Sequence, residues 1–329
     1  MAILVTGGVG YIGSVVVDDL IANGEIVAVI DDLSRGHRLS VNEKAAFYEG
    51  SIGDRDLITR IIRENGITSV MHFSAYAYVG ESVEKPDIYY QNNVIETVKL
   101  LDAMNRSVVK NLVFSSSCAT FGEPQSVPIG EAHPQLPTNP YGRTKLIVEQ
   151  ILGDYDRAYG LRSVALRYFN ACGATETRGE HHDPETHLIP LVLDAAAGKI
   201  ERLSVFGGDY PTTDGTAVRD YIHVSDLSDA HIRAVKYLKD GGASDSFNLG
   251  NGKGFSVMEV IEAAERVTGR DVPYKIEARR PGDPSQLVAS SAKASQILGW
   301  RPKHTKLESM IESAWRWRIS NSGSSATSV

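Results

Sequence analysis

Cysteine is almost absent: Cys118 and Cys172 are the only 2 in 329 residues. That excludes a disulfide framework or a cysteine-based zinc spacing, and it points to a reducing cytoplasm. Long apolar runs are missing too. The apolar opening at 2–5 runs straight into glycine, too short for a signal core or a membrane span. Nor is there an excess of positive charge. The formal net charge is -7, which argues against a general nucleic-acid surface while leaving room for a local basic pocket. There are no internal repeats, and only residues 320–329 are compositionally simple enough to read as a disordered tail. What remains, 42% hydrophobic and 23% charged, is ordinary globular composition, with enough chain for one large or two modest domains.

The first half alternates short β-rich runs with longer helical patterns. Residues 3–6, 26–30, 69–73, 112–115 and 163–166 read as strands, nearly continuous in apolar residues, as strands covered on both faces are. Residues 11–23, 54–65, 86–105 and 141–159 read as helices. This alternation predicts an α/β fold, a Rossmann-type doubly wound parallel sheet. Beyond about residue 170 the pattern loosens into proline, glycine and charged loops, as expected of a smaller C-terminal substrate-binding domain. The division expected is 1–170 for the nucleotide domain and 171–319 mainly for substrate, with returns to the first domain around 220–250.

Two sets of residues carry chemistry. The first strand leads into Gly7-Gly8-Val9-Gly10-Tyr11-Ile12-Gly13 and then an amphipathic helix. Glycines there permit a tight turn and bring backbone N–H groups to a pyrophosphate at a helix N-terminus. The second strand ends in Asp31, placed to accept from ribose hydroxyls and to repel a 2′-phosphate, which favours NAD. Further on, Tyr141 and Lys145 are four apart at the start of a helix, so they share a face. A nearby lysine favours the phenolate, and the strand upstream ends in Ser115-Ser116-Ser117 at the ligand-binding edge of such a sheet. A Tyr-x-x-x-Lys spacing by itself is unspecific. Its combination with the glycine turn and the serine-ended strand points to a catalytic site.

These residues resemble the extended short-chain dehydrogenase/reductases, and within them the UDP-glucose 4-epimerase family. The likeness runs from Ile3 to about Trp317. Besides the glycine turn it rests on Val79-Gly80-Glu81-Ser82, Tyr90-Gln91-Asn92-Asn93-Val94 and Asn139-Pro140-Tyr141-Gly142-Arg143-Thr144-Lys145. It continues in Leu166-Arg167-Tyr168-Phe169-Asn170, Arg219-Asp220-Tyr221-Ile222-His223-Val224 and Arg279-Arg280-Pro281-Gly282-Asp283. The resemblance implies an NAD-dependent interconversion of UDP-galactose and UDP-glucose through a 4-keto sugar. Tyr141 is then the base at the sugar 4-hydroxyl, Lys145 its ionising partner and ribose ligand, and Ser117 a hydrogen-bond partner of the 4-oxygen. It implies cofactor contacts at Gly7, Gly10, Tyr11, Ile12, Gly13, Asp31, Ile52, Phe73, Asn92, Tyr141, Lys145 and Tyr168. For the UDP-sugar it implies Ser117, Tyr141, Asn170, Leu188, Phe206, Arg219, Arg280, Asp283 and Leu287. Arg219 and Arg280 suit a diphosphate through the guanidinium fork, although an arginine in such a setting is by itself more often a surface ion pair. A homodimer, paired through helices 86–105 and 141–159, is expected.

Some positions depart from the family. Ser51 stands where an acid commonly meets adenine, with Asp54 a candidate substitute; Phe73-Ser74-Ala75 stands where Phe-Ala-Gly is usual; and Leu287 leaves the sugar range open. A UDP-pentose or UDP-GlcNAc 4-epimerase therefore remains the alternative, ahead of a non-catalytic NAD-sensing regulator, which would be expected to lose Tyr141 or Lys145. Dehydration is disfavoured, because Ser-Ser-Ser-Cys stands where dehydratases carry Thr-Asp-Glu. His181, His182, Asp183 and His187 resemble a metal cluster, but crowded in a polar loop they read as solvated or as part of a substrate lid, and no metal is expected. Cys118 has no evident cationic partner and reads as a small buried residue.

Overall fold

The computed structural model describes residues 1–280 and 282–321. The chain opens with β1 (Ala2–Thr6), α1 (Tyr11–Ala22), β2 (Ile26–Asp31), β3 (Ala46–Glu49), α2 (Arg55–Asn65) and β4 (Ser69–His72). It continues through α3 (Val79–Glu84), α4 (Pro86–Tyr90), α5 (Glu96–Arg106), β5 (Asn111–Ser117), α6 (Pro140–Tyr159) and β6 (Arg162–Tyr168). Then come β7 (Asn170–Cys172), α7 (Leu188–Ala196), β8 (Leu203–Phe206), β9 (Val218–His223), α8 (Val224–Lys239) and β10 (Asp245–Leu249). The last elements are β11 (Gly254–Ser256), α9 (Val257–Thr268), β12 (Tyr274–Glu277), β13 (Gln286–Leu287), α10 (Ala292–Ile297) and α11 (Leu307–Asn321). Ser320 and Asn321 thus close a helix, and the rest of the expected tail, 322–329, lies outside the described residues.

The large sheet has seven strands in the order β10-β6-β5-β4-β1-β2-β3, and every pairing in it is parallel. Its order reverses between β1 and β4, which opens a crevice at their carboxyl ends. Both faces are covered, as the apolar strands require. Val16, Val17 and Leu20 of α1 pack on one face with Leu227, Val235 and Leu238 of α8. Ile58 and Ile61 of α2, Leu100 and Met104 of α5, and Val148 and Leu152 of α6 pack on the other. Local chemistry sets the helix ends. Asp54 caps α2 by accepting from Leu57 N at 3.0 Å, and Asn139 caps α6 by accepting from Gly142 N at 2.8 Å. Gly66 and Gly160 close these two helices in the left-handed region.

A smaller lobe has its own core, in which Ile189, Val192 and Leu193 of α7 meet Val260 and Ile261 of α9 and Met310 and Ile311 of α11. Its sheet centres on β9, which pairs antiparallel with β11 and parallel with β7 and β13. α8 and β10 then return to the large sheet.

The helix expected over 86–105 is not continuous. A single π turn, Gln91–Ile95, separates α4 from α5. The wider turn accompanies a buried Asn93 whose amide holds both main-chain groups of Tyr76, accepting from N at 2.9 Å and donating to O at 3.0 Å. The segment 46–49, without a strand assignment from sequence, is the edge strand β3. No described helix is long and apolar enough to cross a membrane.

Three histidines are buried and neutral. His72, held between Thr6 Oγ1 (2.7 Å) and Thr97 Oγ1 (2.9 Å), is pushed down to about 3 by burial. Burial also pushes His223 and His231 down to about 4. Their folded pKa values lie below the unfolded one, so the unfolded chain takes up protons first, and stability falls as pH drops from about 6.5 towards 4. At pH 5 the loss is roughly 2 kcal/mol per histidine. Urea unfolding at pH 7.5 and pH 5 is expected to show this drop; an unchanged midpoint would mean the rings titrate in the folded chain as they do in the unfolded one.

Candidate active site

The crevice at the switch point collects the residues singled out from sequence. Gly7 follows β1 at φ +68°, and a Cβ there would lie 2.6 Å from Ser74 N. Gly13 packs so closely beneath the turn that a Cβ would sit 2.2 Å from Gly7 O. Gly10 is the N-cap of α1, whose first turn carries no acid. An anion can therefore approach the turn and the free N–H groups at the helix start without meeting a side chain or a like charge. Asp31, buried at the end of β2, accepts from Leu33 N at 3.0 Å. Burial raises its pKa, and main-chain donors counter that rise. Ile12 is half-buried against the α1 face of the core, and Ile52 is buried on the opposite face.

Tyr11 is spent on the chain itself: its hydroxyl donates to Gly173 O at 2.6 Å, joining the glycine turn to the segment after β7. Phe73, next to β4, lies 4.5 Å from the His231 ring. Asn92 sits in the π turn and donates to Asn93 Oδ1 at 3.0 Å. Glu81 of the Val-Gly-Glu-Ser motif grips Arg35 with both oxygens, at 2.8 and 2.7 Å. Of the suggested adenine contacts, Asp54 is occupied as the cap of α2, while Ser51 Oγ donates to Glu96 Oε2 at 3.3 Å.

Ser117 ends β5, and Tyr141 and Lys145 rise from the first turns of α6 beside it; all three are at least 91% buried, with 8%, 9% and 4% exposure. Gly142 permits this approach, since a Cβ there would lie 2.3 Å from Ala119 O. Lys145 Nζ donates to Ser115 O at 2.7 Å, and Ser115 Oγ bonds the Tyr168 hydroxyl. Ser115 thus ties the lysine to a second phenol. Burial pushes Lys145 down to about 7 and Tyr168 up to about 12. Tyr141 is also raised, by burial first and then by Tyr168, while a hydrogen bond with Ser117 pulls the other way. The expectation that Lys145 keeps Tyr141 ionised is therefore not met by the chain alone. The ammonium lies 5.8 Å from the tyrosine ring centre and is bonded to a carbonyl, so desolvation prevails. Cys118 is pushed up to about 12 by burial, which leaves no thiolate for nucleophilic work.

On the smaller lobe Asn170 opens β7 and hydrogen-bonds Tyr221. Arg219 of β9 pairs with Asp283, and the Arg280 guanidinium stacks 3.8 Å from the centre of Phe206 at the end of β8. Leu188 begins α7. Leu287 of β13 packs against the buried cluster of Cys118, Phe121, Ile129, Phe169 and Ala289, in which Cys118 follows Ser117 in the chain. Sequence reasoning missed Asn93, which also donates to Thr144 Oγ1 at 3.1 Å, and the buried Arg167–Glu149 pair at 2.6 Å. Glu149 accepts from Ser116 Oγ at 2.5 Å. The signal was present: Arg167 is a charge that follows the apolar run 164–166 within a strand.

A model of the NAD dependent epimerase/dehydratase family matches residues 3–250. The chain belongs to this family. Among curated relatives, a UDP-glucose 4-epimerase of Halalkalibacterium halodurans is 53% identical over 319 residues, covering 96% of this chain and 95% of that one. Among solved structures, the UDP-glucose 4-epimerase of Brucella ovis in complex with NAD has TM-score 0.93 and 49% identity, covering 95% and 97%. The UDP-glucose 4-epimerase of Stenotrophomonas maltophila, with NAD and formylated UDP-arabinopyranose bound, has TM-score 0.95 and 39% identity, covering 98% and 99%. The epimerase family membership and the glycine-lined crevice agree on a dinucleotide as cofactor, and the buried Asp31 fits NAD.

Proposed function

We propose that this chain is a UDP-glucose 4-epimerase that interconverts UDP-galactose and UDP-glucose with NAD retained between turnovers. The observation that carries this reading is the joint burial of Ser117, Tyr141 and Lys145 beside a glycine turn in which a Cβ on Gly7 or Gly13 would clash with the backbone. When bound, NAD supplies the acceptor and then the donor of the C4 hydrogen. The chain's own residues manage the proton. Tyr141 takes it from the 4-hydroxyl as the C4 carbonyl forms, and Ser117 holds the oxygen. Because burial favours the neutral phenol, Tyr141 ionises only with positive charge at hand, and Lys145 is the cation within reach. The 4-keto sugar, trigonal at C4, turns over in the pocket, and Tyr141 returns the proton to the 4-oxygen as C4 is reduced on its other face.

The division that serves this chemistry is 1–170 with returns around 220–250 for NAD, and 171–319 for the UDP-sugar. Arg219 and Arg280 take the diphosphate, Asp283 the uridine ribose, and Asn170, Leu188 and Phe206 the remaining UDP-sugar contacts. Asp283, paired to Arg219 here, exchanges this partner for the ribose when UDP enters. The buried thiols of Cys118 and Cys172 suit a cytoplasmic setting. A homodimer through the α4–α5 and α6 face is supported by exposed Val83 and Ile95 on the segments beside it, and light scattering at micromolar concentration tests it.

The direct test is incubation with UDP-galactose without added NAD, followed by chromatography. A mixture with UDP-glucose is expected; no conversion even with NAD added would overturn the reading. Leu287 bears on the sugar range because it packs against the buried cluster that holds Cys118, the residue after Ser117. Leu287→Ser is expected to raise kcat/KM for UDP-GlcNAc about 10-fold relative to UDP-galactose, by opening space beside C2. An unchanged ratio would remove Leu287 from the sugar pocket.

A further inference from the structure

We propose that Glu180, His182, Glu185 and His187 form a closed four-ligand site for a structural divalent metal, zinc in the first instance. All four lie in the connection between β7 and α7, and one donor atom from each falls within 4.8 Å of the others. Three of them are shielded, the side chains of Glu180, Glu185 and His182 being 8%, 12% and 22% exposed, while His187 at 41% closes the solvent side. This inference stands apart from the proposed chemistry, since it uses none of the residues assigned to the sugar or the dinucleotide.

The spacing fits an ion. Zinc bonds to nitrogen and oxygen of about 2.0–2.1 Å in a tetrahedron place the donor atoms about 3.3–3.4 Å apart. Here His187 Nδ1 lies 2.8 Å from Glu180 Oε1 and 3.0 Å from Glu185 Oε1. His182 Nδ1 lies 3.2 Å from Glu180 Oε1 and 3.9 Å from Glu185 Oε2. The two separations from Glu180 Oε1, 2.8 and 3.2 Å, and the 3.9 Å from His182 Nδ1 to Glu185 Oε2 scatter around the tetrahedral value, while the 3.0 Å contact of His187 with Glu185 Oε1 is a hydrogen bond within the cluster.

Pairing among the side chains leaves the cluster incomplete. His182 Nδ1 and Glu185 Oε2 are buried without a hydrogen-bond partner, and both belong to this group. Glu185 Oε1 is fixed by the amides of Thr186 at 2.8 Å and His187 at 2.9 Å, which leaves Oε2 for another ligand. A divalent cation answers both atoms at once. It also balances charge, because two carboxylates and two neutral imidazoles around a dication sum to zero. Imidazole with carboxylate suits zinc, and four protein ligands leave no open position for catalysis.

The position explains what such an ion would do. His182 stands edge-on to Tyr11 at 6.3 Å and to Tyr78 at 5.9 Å, and His187 immediately precedes α7. The loop is already tied to the large sheet's side by Arg178 and Asp18 at 2.7 Å and by His181 stacked on His37 at 4.4 Å. A metal would lock its remaining turn and set the start of α7 against the glycine turn.

The test is a cobalt titration of the chelator-treated full-length chain, with plasma mass spectrometry of the protein as purified. Expected are about one zinc per chain, tetrahedral cobalt d–d absorption saturating near one equivalent, and loss of both in Glu185→Gln and His182→Ala. Chelation should also lower Tm by several degrees, and zinc should restore it. Absence of cobalt bands in the chelated wild type overturns the proposal even if a variant fails to fold. Equal bands in wild type and Glu185→Gln would overturn it too, by placing the metal elsewhere.

Discussion

Tyr141→Phe is expected to lower kcat by about 10²–10⁴-fold while NAD content and UDP affinity stay near wild type. The phenol oxygen sits in a buried site with Ser117 as hydrogen-bond partner and no other phenol or carboxylate assigned to the proton. Tyr168, the phenol that raises Tyr141 most, is itself bonded to Ser115 and raised to about 12, so it is poorly placed to substitute. Removing one oxygen leaves the ring, and hence the packing, intact. Steady-state kinetics with UDP-galactose, alongside cofactor content from the denatured protein, separate the outcomes. Near-normal turnover would remove Tyr141 as the base; lost NAD would mean the substitution had disturbed binding instead.

Gly13→Ala is expected to strip the chain of retained NAD and to lower stability by about 2–3 kcal/mol. The added methyl would stand 2.2 Å from Gly7 O and 3.0 Å from the Gly8 Cα, both backbone atoms that cannot rotate aside. Relief requires moving α1 away from the turn, and that movement withdraws the helix N-terminus from the pyrophosphate position. Thermal unfolding and cofactor content measure the two effects together. A variant that keeps both would show that the turn tolerates a wider gap than its packing implies. Gly24, with no heavy atom within 4 Å of its would-be Cβ, is the control for added bulk, since its alanine meets backbone strain but no clash.

The fold was legible where a segment's pattern and its environment coincide. The strands from β1 to β6, apart from β3, are apolar because both faces are covered, and that pattern survives in the sequence alone. β3 was missed because an edge strand is only half covered, and Ala46–Glu49 carries no buried residue to mark it. The π turn at 91–95 was missed because helical periodicity does not register one extra residue in a turn. Only the contact of Asn93 with Tyr76 shows what it accommodates.

In the candidate site, Ser117, Tyr141 and Lys145 lie together, as a serine-ended strand and a Tyr-x-x-x-Lys helix start suggested. What spacing could not convey is burial. It shifts Tyr141 and Lys145 in opposite directions, against the simple expectation that the lysine ionises the phenol. The loop at 180–187 reads from sequence as solvated or as part of a substrate lid, yet Glu180 is buried and lies against His182 and His187.

The most direct measurement uses UDP-galactose carrying deuterium at C4, converted in ordinary water and followed by mass spectrometry and NMR of the UDP-glucose formed. Full retention of deuterium at C4, with no exchange into solvent, is the expected result for a C4 hydrogen removed and returned within one closed site. Loss of the label to water, or its appearance at another carbon, would contradict the assignment of 4-epimerisation to this crevice.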